Sequence, residues 1–152
     1  MKALLPIKSK WVGVKLIEFQ TEVDMDLQEW RDKLSWMSNE QLIQAHLSLQ
    51  EQIKKHYKLR DVGNNLKKAI SLCEQQIALS PMVMKAMKEQ HRADWEAVSE
   101  VNRAVGRQTS MPEFYAPSHH GYRQLCVILT KQKKPEEATK LELQRDSEGW
   151  AR

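Results

Sequence analysis

Residues 118–150, SHHGYRQLCVILTKQKKPEEATKLELQRDSEGW, constrain the fold more than any other stretch of the chain. Ser118 is placed to cap a helix beginning at His119 by accepting from its orphan N–H groups. Tyr122, Leu125, Cys126 and Leu129 then recur at steps of three, one and three, which puts them on one buried face. Lys131, Lys133 and Lys134 occupy the end of this helix and the turn, where cations suit the negative end of the helix dipole. Pro135 has no N–H to donate, so it opens a second helix and cannot continue the first. Glu136 and Glu137 follow in the first turn of that helix, Ala138 and Leu141 face inward, and Gly149 offers the left-handed conformation that ends it. Two helices joined by so short a turn lie antiparallel.

The rest of the chain reads as helices stacked on this hairpin. Leu27, Trp30, Leu34 and Met37 form one stripe, with Asp26 and Glu29 as a capping-box pair. Ser38 and Gln41 form a second such pair, opening a helix that carries Leu42, His46, Leu49, Ile53 and Tyr57. Gly63-Asn64-Asn65 marks a turn. Leu66, Ala69, Ile70, Cys73 and Ile77 make the next stripe, expected to stop at Ser80-Pro81 and complete a hairpin over residues 38–81. Pro81, capped by Ser80, is then expected to open a long helix over 82–105. That helix carries Met84, Met87, His91, Trp95, Val98 and Val105, and Gly106 ends it. A loop over 106–117 precedes the second hairpin, 118–150. Within residues 1–23, the run from Trp11 to Phe19 is apolar on both sides, and periodicity does not separate a strand from a buried helix there. With no convincing second strand, helix or irregular packing is expected, and a strand-like edge open to a partner is the alternative.

Two of these segments resemble the tetratricopeptide repeat. Tyr122, Leu125, Cys126, Leu129 and Ala138 reproduce the spacing of that family's signature. Ala69 and Pro81, in KKAISLCEQQIALSP, stand at its separation for a second helix, with Ile53 and Tyr57 as the large residues of the first. Glu142, Arg145 and Trp150 depart from the pattern, and the residues from 60 to 65 make a longer turn than the family uses. The resemblance implies an all-α, irregular stack of five to seven helices, and a length of 152 residues makes it one domain over residues 1–152. The resemblance also implies a groove for a peptide or helix of another protein, with Arg123, Gln124 and Lys131 on the concave side.

Composition fits a helical domain long enough to bury a core: 152 residues, five Gly and five Pro, with 29% charged residues. The net charge of +4 is spread, with excesses of +2, +1 and +1 over residues 1–60, 61–110 and 111–152. Such a distribution counts against nucleic-acid binding unless folding gathers the cations on one surface. The densest cluster, Lys54, Lys55, Lys58, Arg60, Lys67 and Lys68, surrounds one helical junction and carries that alternative. Cys73 and Cys126 sit on apolar faces and are expected to be free, buried thiols. Leu4-Leu5-Pro6-Ile7 is too short for a signal sequence, and no apolar run reaches membrane-spanning length, so a soluble, cytoplasmic protein is expected.

No motif announces catalysis, a cofactor or a metal. His119 and His120 are adjacent and point apart, His46 and His56 are ten residues apart, and His91 stands alone. No H-E-x-x-H, C-x-x-C or glycine-rich phosphate loop is present. Phe114 and Tyr115, in the loop stiffened by Pro112 and Pro117, are candidate contact residues. The expectation is therefore a non-catalytic protein-interaction module, with a nucleic-acid-associated factor as the alternative. A dimer would cover the ends of such a stack.

Overall fold

The computed structural model describes residues 6–8, 15–17 and 27–152. Five helices carry the fold: α1 (Leu27–Leu34), α2 (Asn39–Lys58), α3 (Asn65–Ala104), α4 (His120–Lys131) and α5 (Pro135–Glu148). Near the N-terminus, β1 (Pro6–Lys8) and β2 (Lys15–Ile17) pair antiparallel, with Ile7 opposite Leu16. The helix or irregular packing expected across Trp11–Phe19 gives way at Lys15–Ile17 to the strand kept as the alternative. Its partner, Pro6–Lys8, is too short for a period-two pattern to reveal. The Asp26 cap lies outside the described residues.

The α2–α3 hairpin is the backbone of the molecule. At the start of α2, Ser38 Oγ accepts from the Gln41 N–H at 3.2 Å, and the Gln41 side chain accepts from the Ser38 N–H at 3.0 Å. This is the expected capping box. Leu42, Ala45, Leu49 and Ile53 of α2 pack against Ala69, Leu72, Cys73 and Leu79 of α3, all buried. Each large aliphatic side chain there contributes about 1.5–3 kcal/mol. Two polar contacts pin the ends of the pairing: Asn39 Nδ2 to Glu89 Oε2 at 2.7 Å, and His56 Nδ1 to Asn65 Oδ1 at 2.8 Å. Trp30 and Leu34 of α1 close the core beside α3. α4 and α5 form the second antiparallel hairpin, joined through Lys133 and ended by Gly149 in the left-handed conformation.

α3 corrects the expected boundary at Ser80-Pro81. It is one helix of 40 residues with Pro81 inside it, so the first hairpin and the long helix beyond it share a single continuous element. A proline in a helix interior removes the bond to the carbonyl four residues back, here Ile77. Ser80 Oγ lies 2.6 Å from that carbonyl and supplies a donor in its place. The same hydroxyl lies 2.5 Å from Glu148 Oε1 of α5, so one proton serves two acceptors. Beyond Glu89, α3 outruns α2, and the loop over 107–117 folds back along it. His91 Nε2 donates to the Pro112 carbonyl at 2.8 Å, and Ser99 meets Thr109 at 3.0 Å.

The compensation at Pro81 is testable by a double-mutant cycle in urea. Ser80→Ala should cost about 1–3 kcal/mol, because a part-buried carbonyl loses its donor. In a Pro81→Ala background the restored backbone N–H serves Ile77, and the cost should fall by about half or more. Equal costs in both backgrounds would show that the hydroxyl acts through Glu148 alone.

Candidate interaction groove

α3 and α5 barely touch, and the gap between them is floored by α4. The result is a groove of about 730 Å³. Ile70, Ile77 and Pro81 of α3 form one wall, Leu141 of α5 the other, and Leu125 and Leu129 of α4 the floor. Leu27 and Arg31 of α1 complete the lining. The rim alternates in sign: Glu74 on α3, Lys134 at the turn, and Glu137, Lys140 and Glu148 along α5. Partial burial against the wall pushes the Glu74 carboxyl above its ordinary range.

Behind the groove lies a polar junction that fixes the second hairpin to the first. His46 of α2, His119 at the start of α4 and Trp150 after α5 are all buried. His46 stacks on Trp150 with ring centroids 5.6 Å apart, and His119 meets both rings edge-on, at 5.0 Å and 4.9 Å. Gln76 of α3 donates to the His46 carbonyl at 2.9 Å. The Ala151 N–H donates to the Pro117 carbonyl at 3.2 Å and forms a parallel bridge with Ser118, which holds Trp150 in place. Trp150 Nε1 donates to Glu148 Oε1 at 3.1 Å, linking the junction to the rim of the groove.

Histidine 119, and not Ser118, caps α4. Its Nδ1 accepts from the Tyr122 N–H at 3.1 Å, while Ser118 is held in the bridge to Ala151. An accepting Nδ1 requires the proton of the neutral ring on Nε2, which is buried without a hydrogen-bond partner among the described residues, the Gln76 backbone carbonyl acting on the ring only through its field. Burial pushes His46 down to about 4. Burial, then the neighbouring His46, pushes His119 down to about 3 against the opposing pull of that carbonyl. Gly121 gives the close approach between α4 and α3. A Cβ there would stand 2.6 Å from Gln76 Oε1, 3.1 Å from His119 Cε1 and 3.3 Å from the Cys73 carbonyl.

The residues nominated from sequence are not in the groove. Arg123 is exposed and Gln124 half-buried on the other side of α4, where burial, then Lys54 of α2 and Arg123, push His120 below its ordinary value. Lys131 reaches Tyr57 at the end of the bundle. Phe114 is half-buried, edge-on to His91 at 5.5 Å, while Tyr115 is 79% exposed with its hydroxyl on Glu113. Cys73 and Cys126 are free and buried, and burial raises both thiols. Sequence reasoning missed the pairing of His46 with His119. The available signal was the position of His46 within the stripe of Leu42, Leu49 and Ile53, which marks it as a core residue. Among the described residues no three His, Cys, Asp or Glu side chains gather as metal ligands, and no helix is long and apolar enough to cross a membrane.

Comparison with known proteins returned no matching family model, no matching curated protein and no matching solved structure.

The junction predicts an acid-labile fold. Both histidines have folded values below the unfolded 6.5, so the unfolded chain binds more protons. Their contribution is complete above about pH 6.5 and is lost as the pH falls towards 4, at up to about 1.4 kcal/mol per unit for each ring. Urea midpoints between about pH 7 and 4 should fall accordingly, and His46→Phe should flatten the slope by about one proton. Parallel slopes for the two proteins would remove His46 from the account. Gly121→Ala should cost about 1–3 kcal/mol, because Gln76 is fixed to His46 and cannot withdraw freely.

Proposed function

We propose that this protein is a non-catalytic interaction module that holds an amphipathic helix of another protein in the groove between α3 and α5. The groove carries this reading. From Ile70 to Pro81 its α3 wall runs about 16 Å, the length of three helical turns. Its floor is aliphatic, and its rim offers charges of both signs. An incoming helix with apolar residues three and four apart and charged flanks matches that surface. The resemblance of residues 53–81 and 122–149 to tetratricopeptide repeats supports the same class of function. The partner surface, however, is assigned to Ile77, Leu125, Leu129 and Leu141 in place of the concave residues that the resemblance implies.

The test is capture from nuclease-treated extract of the source cells, followed by affinity measurement on the captured partner. Ile77→Lys and Leu141→Lys should each weaken it about ten-fold or more with an unchanged helical circular-dichroism signal. Arg123→Glu and Tyr115→Ala should leave it intact. Loss on Arg123→Glu or Tyr115→Ala, with the groove variants still binding, would move the contact to the opposite face of α4 or to the loop over 107–117.

A further inference from the structure

We propose that the end of the bundle where α2 and α4 finish and α3 begins binds the phosphate backbone of nucleic acid. This surface is separate from the apolar floor of the groove, and its evidence is a distribution of charge. Residues 51–68 and 131–134 hold nine Lys and Arg against two carboxylates, Glu51 and Asp61, in a chain of net charge +4. The remaining residues are therefore net negative. The fold adds the cations of residues 131–134 to the cluster that the sequence already places between Lys54 and Lys68.

Specific contacts do the gathering. Lys131 Nζ of α4 donates to the Tyr57 hydroxyl of α2 at 3.2 Å, and the Arg60 guanidinium lies over the same ring, 4.5 Å from its centroid. The contact of His56 with Asn65 holds the start of α3 beside them. Lys54 pairs with Glu51 at 3.2 Å. Lys55, Lys58, Arg60, Lys67, Lys68, Lys131, Lys133 and Lys134 have no carboxylate partner among the described residues.

Helix stability does not account for this placement. Lysines at the C-termini of α2 and α4 complement the helix dipole, but Lys67 and Lys68 lie in the first turn of α3, at its positive end, with no acid among them. The N-cap of that helix, Asn64, makes no side-chain cap bond. Lys133 holds a left-handed backbone, φ 61°, where glycine or asparagine is favoured. Three cations thus occupy positions where folding would prefer another residue, which points to a ligand that uses their charge. Their density selects the ligand. Duplex nucleic acid carries one charge per about 1.7 Å of axis, about twice the density of even a fully acidic extended chain. Tyr57 is covered by Arg60 and Lys131, so it positions cations and does not stack on bases. Contact is therefore with the backbone and independent of base sequence.

The experiment is fluorescence anisotropy of the full chain with labelled, mixed-sequence duplex DNA, single-stranded DNA and single-stranded RNA of about 20 units at about 50 mM salt. Binding of at least one is expected, with log affinity falling against log salt at a slope of about −4 to −6. The double variant Lys67→Glu/Lys68→Glu should weaken it about 30-fold or more and reduce the slope by about two. Lys133→Gly should reduce the slope by about one with an unchanged or raised melting temperature, which separates lost binding from lost folding. Arg92→Glu/Arg103→Glu, on the far half of α3, makes the same charge change and should leave affinity unchanged. Absence of binding to all three nucleic acids would overturn the proposal. So would equal loss in the Arg92/Arg103 variant, or competition by polyglutamate as strong as that by nucleic acid at equal charge. The last result would assign the surface to an acidic protein. Leu141→Lys should retain nucleic-acid binding, so failure of the groove reading is distinguishable from failure of this one.

Discussion

The packing of Trp150 against two buried histidines ties the end of the second hairpin to the first. The second hairpin meets the first through few elements, and this junction is where α2, α3, α4 and the chain after α5 all touch. Two imidazoles this close and this buried can share the space only if both stay neutral. The cap of α4 imposes the same condition, because a proton on His119 Nδ1 would displace the Tyr122 N–H from its acceptor. Charge state, helix capping and hairpin docking are thus one constraint. The groove inherits it: Glu148 accepts from Trp150 and contacts Ser80 of α3, so the α5 wall is set by the same junction. α3 and α5 meet around Ser80, Met84, Glu148 and Gly149 and are separated elsewhere by the groove.

Features encoded within a few residues were legible in the sequence. The Ser38–Gln41 capping box, Pro135 at the first turn of α5, the left-handed Gly149 and the buried stripes of α2 and α4 each rest on neighbours no more than a turn or two away. The helical class followed from them. Two local rules failed where a distant partner intervened. Pro81 should stop a helix, but Ser80 serves the orphaned Ile77 carbonyl, and burial of Leu79, Val83 and Ala86 on both sides makes continuation favourable. Ser118 is a good capping residue, but its bridge to Ala151 holds it out of the role, and the next side chain takes it.

The candidate surfaces were legible only in part, for a related reason. A stripe shows which side of a helix is apolar and not how far its neighbour stands off. Ile77, Leu125 and Leu141 were identified as inward-facing, yet they line a groove because α3 and α5 separate over much of their length. Charge behaves in the same way. Counting along the chain gave an even spread, because the boundary at residue 60 divides the cluster from Lys54 to Lys68 and the acids of α5 offset Lys131 to Lys134. The antiparallel course of α2, α3 and α4 brings the two basic groups to one end, and the contact of Lys131 with Tyr57 records it.

Lys134 belongs to both surfaces. It lies in the basic turn and also lines the groove beside Glu137 and Lys140. On the two proposals, a groove ligand that presents a carboxylate to Lys134 would remove one cation from the basic end of the bundle offered to phosphate. By linkage, bound phosphate would weaken that ligand by the same factor. A ligand that avoids Lys134 would leave the two events additive. Lys134 is fixed at this position because it is the residue before Pro135. Its N–H donates to the Leu129 carbonyl at 2.9 Å, and its own carbonyl accepts from Ala138 at 3.3 Å. The backbone that starts α5 therefore sets where the shared charge stands.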